Sequence, residues 1–167
     1  MCYMLISPFT YVLTPVHRPG RLRCRSYVGQ GSYTSRLYES CLENVGKIAH
    51  ELGHIIGFLH EHMRHDRHKY IQMNKENIIA RSWIYDYEDV AANYTYVGTT
   101  YDPGSIMHYP PINYDTINHS IPAFTLLKNV RYSGEIGQRN CLSPSDVDAT
   151  NRMYSCPKTC KYVCWGC

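Results

Sequence analysis

Residues 50–60 read His50-Glu51-Leu52-Gly53-His54-Ile55-Ile56-Gly57-Phe58-Leu59-His60, three histidines and a carboxylate at spacings that suit a metal ion. On a helix, residues four apart differ by about 40° in direction and about 6 Å in height, so His50 and His54 point the same way. Both can reach one ion at the ~2.0–2.1 Å of a zinc–nitrogen bond. Glu51 lies about 100° round the helix, beside the metal rather than on it. From there its carboxylate can take a proton from bound water as general base. Gly57 lets the chain leave the helix sharply, because a residue without Cβ adopts positive φ at no steric cost. His60 can then return as third ligand. Three protein ligands leave a position for water, which marks a catalytic rather than a structural zinc. Such an ion lowers the pKa of water from ~15.7 to about 7 and polarises a carbonyl.

At ordinary residue usage the five fixed positions coincide in roughly one chain per 10⁵ of this length. The competing reading is an amphipathic helix with surface histidines. The extended pattern, followed by a methionine turn, is the metzincin signature, and Met107 supplies that second element.

The elements that must hold these residues can be read from periodicity. Val45, Ile48, Ala49, Leu52, Ile55 and Ile56 recur at helical spacing, predicting a helix over 43–57 that stops at Gly57. Gly53 inside it costs about 1 kcal/mol against Ala, which points to close packing. Between Cys24 and Cys41, Tyr27, Val28, Tyr33, Thr34, Leu37 and Tyr38 predict one or two strands with a glycine turn. A second helical stretch is expected over 74–90, and irregular structure over 98–140, where Gly, Pro, Asn and Tyr abound. Ser143 as N-cap, Pro144 at the first position and Asp146 in the first turn predict a last helix running to about Tyr154.

Length and composition set the class. A chain of 167 residues is one domain's worth. Its formal charge of +3, with no long basic run, gives no sign of nucleic-acid binding, and no stretch approaches the ~18 apolar residues of a membrane span. Eight cysteines (Cys2, Cys24, Cys41, Cys141, Cys156, Cys160, Cys164 and Cys167) read as a disulfide framework, hence a secreted, oxidising setting. The sequons Asn93-Tyr94-Thr95 and Asn118-His119-Ser120 agree. Residues 1–20 lack a basic n-region, and Pro8 and Pro15 interrupt their apolar stretch, so they make a poor signal peptide.

The motifs together resemble the astacin family of metzincin zinc endopeptidases. Phe58-Leu59-His60-Glu61-His62-Met63-Arg64-His65-Asp66-Arg67 continues the family's HExxHxxGFxHExxRxDRD. Tyr101-Asp102-Pro103-Gly104-Ser105-Ile106-Met107-His108-Tyr109 resembles its Met-turn, SxMHY. Cys24-Arg25-Ser26-Tyr27-Val28-Gly29 looks like its CxSxxG strand. Ile136-Gly137-Gln138-Arg139, Leu142-Ser143, Asp146 and Tyr154-Ser155-Cys156 resemble its C-terminal end.

The resemblance covers residues 24–156. It implies an α+β metzincin-like fold with the N-terminal sheet part truncated: residues 1–23 unassigned, 24–156 a partial peptidase domain, 157–167 a cysteine-rich tail. It also implies one Zn2+ on His50, His54 and His60, Glu51 as general base and acid, and Tyr109 as a distant ligand that swings to stabilise the oxyanion. Met107 would form an apolar floor under the imidazoles, and Cys24 would pair with Cys41. Residues 29–38 would be an edge strand for an extended substrate. The chain is then expected to be a secreted, monomeric endopeptidase acting on peptides or proteins; the alternative is a truncated, catalytically inactive zinc-binding secreted module.

The departures are equally specific. His65 and His68 stand where the family has Pro and Asp, either as solvated surface groups or as a weak accessory metal site. Pro103 replaces a usual Tyr, and Cys141 is not a family cysteine. The usual partner of Cys156 has no clear equivalent. Glu61 is expected to be a partly buried charge without its usual N-terminal partner.

Overall fold

The structure is a computed structural model that describes residues 12–16, 24–29, 34–90 and 97–156. It is mixed α+β, as expected. The chain divides into two compact units, Met1–Leu59 with Arg139–Cys167, and His60–Gln138.

In the first unit, strand β1 (Val12–Val16) pairs in parallel with β2 (Thr34–Tyr38), Thr14 opposite Arg36. β1 falls in the segment that carried no assignment. On its other side β2 is bridged by Arg25, whose N–H and C=O exchange hydrogen bonds with Arg36 at 3.1 and 3.0 Å. The described part of the expected edge strand is thus occupied on both sides near Arg36, which corrects the substrate-edge expectation there; residues 30–33 lie outside the described residues. The Cys24–Cys41 disulfide ties the start of this region to α1 (Glu39–Leu42).

Helix α2 (Val45–Ile55) begins at Asn44, whose side chain accepts the Lys47 N–H at 3.0 Å. That cap satisfies one of the orphan donors of the first turn. Helix α4 (Pro144–Met153) starts as predicted: Ser143 Oγ accepts the Asp146 N–H at 3.1 Å, and Asp146 Oδ2 accepts the Ser143 N–H at 2.8 Å. This reciprocal capping box fixes the helix start from both sides. Cys141 is disulfide-bonded, and Cys156 is a free thiol.

The second unit has a core of Ile71, Ile78, Tyr87, Tyr101, Ala123 and Phe124. β3 (Ile71–Met73) pairs antiparallel with β4 (Phe124–Leu126), so the region expected to be irregular contributes a short strand. The helix expected over 74–90 is broken. A 3-10 turn at Lys75–Asn77 is followed by extended Ile78, and only then by α3 (Ala80–Ser82) running into a π turn at Trp83–Tyr87. Ile78 is taken from the helix by a bridge to Thr116, while the Ile79 N–H donates to the Asp115 C=O at 2.9 Å. Tertiary pairing overrides helical propensity here.

Candidate active site

α2 presents His50 and His54 side by side, both buried, with ring centroids 4.7 Å apart. Gly46 explains how closely this helix is packed: a Cβ there would lie 1.8 Å from the Arg139 carbonyl oxygen. The helix exit follows the expectation for Gly57. It has φ +108°, and its N–H donates to the His54 C=O at 2.9 Å. The Ile56 carbonyl just before it accepts the Tyr154 hydroxyl at 2.7 Å. One ligand atom from each of His50, His54 and His60 lies within 4.8 Å of the others.

The donor chemistry fits zinc. His54 Nδ1 lies 2.8 Å from the Phe58 carbonyl oxygen, which can only accept. Nδ1 therefore carries the proton and Nε2 is left with its lone pair for a metal. Burial lowers the His54 pKa, keeping the ring neutral. Three imidazoles whose ligand atoms converge in this way are a zinc donor set.

Glu51 is buried on the same helix, and its Oε2 has no hydrogen-bond partner among the described residues. Burial raises its pKa; Ser26 and the charge of Arg139 oppose that rise without cancelling it. A raised carboxyl pKa suits a group that must take up a proton and return it.

In the second unit, the Ser105–Tyr109 turn is held from several directions. Ser105 Oγ accepts the Met107 N–H at 3.0 Å, and the Met107 C=O accepts the Glu61 N–H at 3.0 Å. The methionine turn is thereby pinned to the residue that follows His60. The Tyr109 ring lies 4.2 Å from the His60 ring and 4.4 Å from the His62 ring, stacked on the latter. Burial, reinforced by Tyr114, Asp86 and Asp115, pushes the Tyr109 phenol well above its ordinary pKa, so it stays a proton donor.

Several supporting residues were not singled out by spacing. His108, fully buried, donates from Nδ1 to the Tyr109 carbonyl at 2.8 Å, which leaves Nε2 to accept the Tyr101 hydroxyl at 2.6 Å. That chain of bonds fixes the backbone carrying Tyr109. His62 is also fully buried and donates from Nε2 to the Asp86 carbonyl at 2.8 Å. A usable signal was the density of histidines inside motifs whose metal positions were already filled.

Glu61 is not the lone charge expected. Its Oε1 accepts the Arg64 guanidinium at 3.2 Å and the Asp102 N–H at 2.8 Å. His65 and His68 form no three-ligand group among the described residues; His68 Nδ1 donates to the His65 carbonyl at 3.0 Å.

Comparison with known proteins agrees with this geometry. The family model for astacin, a peptidase family, matches residues 16–155. The chain is 37% identical over 142 residues to bone morphogenetic protein 1 homolog of Strongylocentrotus purpuratus, covering 80% of this chain and 21% of that protein. It is 39% identical over 151 residues to zinc metalloproteinase nas-30 of Caenorhabditis elegans, covering 84% and 18%. The chain thus spans only about a fifth of these relatives. Among solved structures, high choriolytic enzyme 1, a hatching enzyme zinc-protease from Oryzias latipes, superposes with a TM-score of 0.72 at 33% identity, covering 87% of this chain and 69% of that one. The chain belongs to the astacin family of peptidases.

Proposed function

We propose that this chain is a secreted, monomeric zinc endopeptidase that hydrolyses peptide bonds in peptides or proteins, with residues 24–156 as its partial peptidase domain. The observation that carries the reading is the His54 tautomer, locked by Phe58 so that Nε2 keeps its lone pair for a metal, in a group where one ligand atom from each of His50, His54 and His60 lies within 4.8 Å of the others. His50, His54 and His60 would hold Zn2+, which would supply Lewis acidity to a water and to the scissile carbonyl. Glu51 takes the proton from the attacking water and delivers it to the leaving amine nitrogen. Tyr109, kept neutral by burial, donates its hydroxyl hydrogen bond to the carbonyl oxygen as negative charge builds there. The secreted setting is supported by the Cys24–Cys41 disulfide. Among the described residues no helix is long and apolar enough to cross a membrane.

The test pairs metal analysis with peptide hydrolysis. The purified chain is expected to hold one zinc and to cleave an internally quenched peptide. Glu51→Gln is expected to keep the zinc and lose turnover. Cleavage that survives this substitution would sink the assignment of Glu51. Zinc bound without cleavage by the unmodified chain would favour the inactive zinc-binding alternative.

A further inference from the structure

The sequon Asn118-His119-Ser120 takes no part in the site. It lies on a turn of the His60–Gln138 unit, and all three residues are exposed. Its backbone is satisfied from within: the Asn118 N–H donates to Asn77 Oδ1 at 2.8 Å, and Asn77 Nδ2 donates to the Asn118 carbonyl at 3.0 Å. Asn77 is buried and also donates to the Ile121 carbonyl at 2.6 Å, so one carboxamide spans the whole turn. The Asn118 main-chain N–H and C=O are thus both held by Asn77.

The Asn118 side chain forms an Asx turn, its Oδ1 accepting the Ser120 N–H at 2.9 Å. The carbonyl end is occupied, and the amide nitrogen Nδ2 has no protein partner among the described residues. Apolar residues flank the turn: Ile117 is 63% exposed and Ile121 41%, and Ile79, two residues from the clamping Asn77, is 43% exposed. A cover over these side chains would keep them from water and from other copies of the chain. A bulky, solubilising glycan is one, and the acceptor triplet needs only a residue other than Pro in the middle, here His119.

We propose that Asn118 is an N-glycosylation site, and that its glycan shields the isoleucine-bearing surface around the turn. The proposal rests on passage of the chain into the secretory pathway. The donor is an oligosaccharide joined through pyrophosphate to a membrane lipid. A bond forms between Asn118 Nδ2 and the anomeric carbon as the anomeric carbon–oxygen bond to pyrophosphate breaks. The lipid pyrophosphate leaves with the bonding pair, and the amide nitrogen gives up one proton. No oxidant or reductant is involved.

The experiment expresses the full chain in eukaryotic cells behind a heterologous secretion leader, with an Asn-Gly-Thr acceptor tag at its C-terminus. Peptide-N-glycosidase F, which converts a glycosylated Asn to Asp, is followed by peptide mass spectrometry. The expected result is conversion at Asn118 as well as at the tag, with Asn118→Gln and Ser120→Ala each losing one glycan while the tag keeps its own. A tag that is modified while Asn118 is recovered as unmodified Asn overturns the site. Deglycosylated protein is expected to self-associate more than the glycosylated form; equal solubility overturns the shielding role. Neither readout requires proteolysis, so failure here is distinct from failure of the enzymatic reading.

Discussion

Replacing Arg64 with Met should cost the fold about 3 kcal/mol, although Arg64 is not among the proposed metal ligands or catalytic residues. Its guanidinium is 4% exposed and grips Asp66 with two bonds, Nε to Oδ1 at 2.9 Å and Nη2 to Oδ2 at 3.0 Å. It also holds Glu61 at 3.2 Å and the Thr99 carbonyl at 3.1 Å. Removing one partner of a buried ion pair costs about 3–5 kcal/mol, because the remaining charge stays out of water uncompensated. Two observations place this case at the lower end. Glu61 and Asp66 are 15% and 17% exposed, so both retain some water, and Glu61 keeps the Asp102 N–H. If the cluster behaved as surface ion pairs do, the cost would be only about 0.2–1 kcal/mol. The assay is urea unfolding of the full chain, with Glu61→Gln and Asp66→Asn completing double-mutant cycles. A loss under about 1 kcal/mol, or no coupling in either cycle, would refute the reasoning. Because Glu61 follows His60 and its N–H donates to Met107, zinc retention should also weaken roughly tenfold.

Tyr109→Phe should lower kcat by about 10²–10³ with little change in KM; a pure KM effect would argue against a role in the transition state. Gly46→Ala should destabilise by about 1–3 kcal/mol or more, since its Cβ would meet Arg139 backbone rather than a movable side chain. An unchanged melting temperature would show that the packing is looser than described. Burial alone would raise the Asp66 pKa, but the Arg64 hydrogen bonds and charge outweigh it and hold the carboxyl below its ordinary 3.8. A folded-state pKa below the unfolded one gives stability that is complete above the ordinary value and is lost as pH falls through the folded one. Asp66→Asn should therefore flatten the acid limb of the stability curve below about pH 4; an unaltered limb would rule the pair out as its source.

The parts of this molecule that were legible in sequence are those determined by nearby residues. The helix bearing His50 and His54, the turn at Gly57 and the cap at Ser143 each follow from a few adjacent side chains and a period. Ile78 shows where such reading stops. Its neighbours favour helix, but the Thr116 bridge that claims it comes from 38 residues away, and no local pattern announces it. Glu61 failed for a related reason. The resemblance supplied its usual partner, whereas its actual partners, Arg64 and the Asp102 N–H, depend on how the chain returns after residue 97. His108 and Tyr101 were quoted as parts of a motif, but their hydrogen bond becomes visible only once both are buried together.

The tie from Tyr154 to Ile56 has a consequence for the order of assembly. The two residues lie 98 positions apart, and Met153 Sδ, beside Tyr154 in sequence, would lie 3.7 Å from a Cβ at Gly57. During synthesis the segment bearing His50 and His54 emerges long before the residues that brace its exit. A nascent chain halted short of Tyr154 can wind α2, but the Ile56 carbonyl at its exit lacks the hydroxyl that it accepts. Such distant contacts are made late, after the loop entropy between them has been overcome. Metal capture by this protein should accordingly follow the emergence of Tyr154 rather than that of α2 alone.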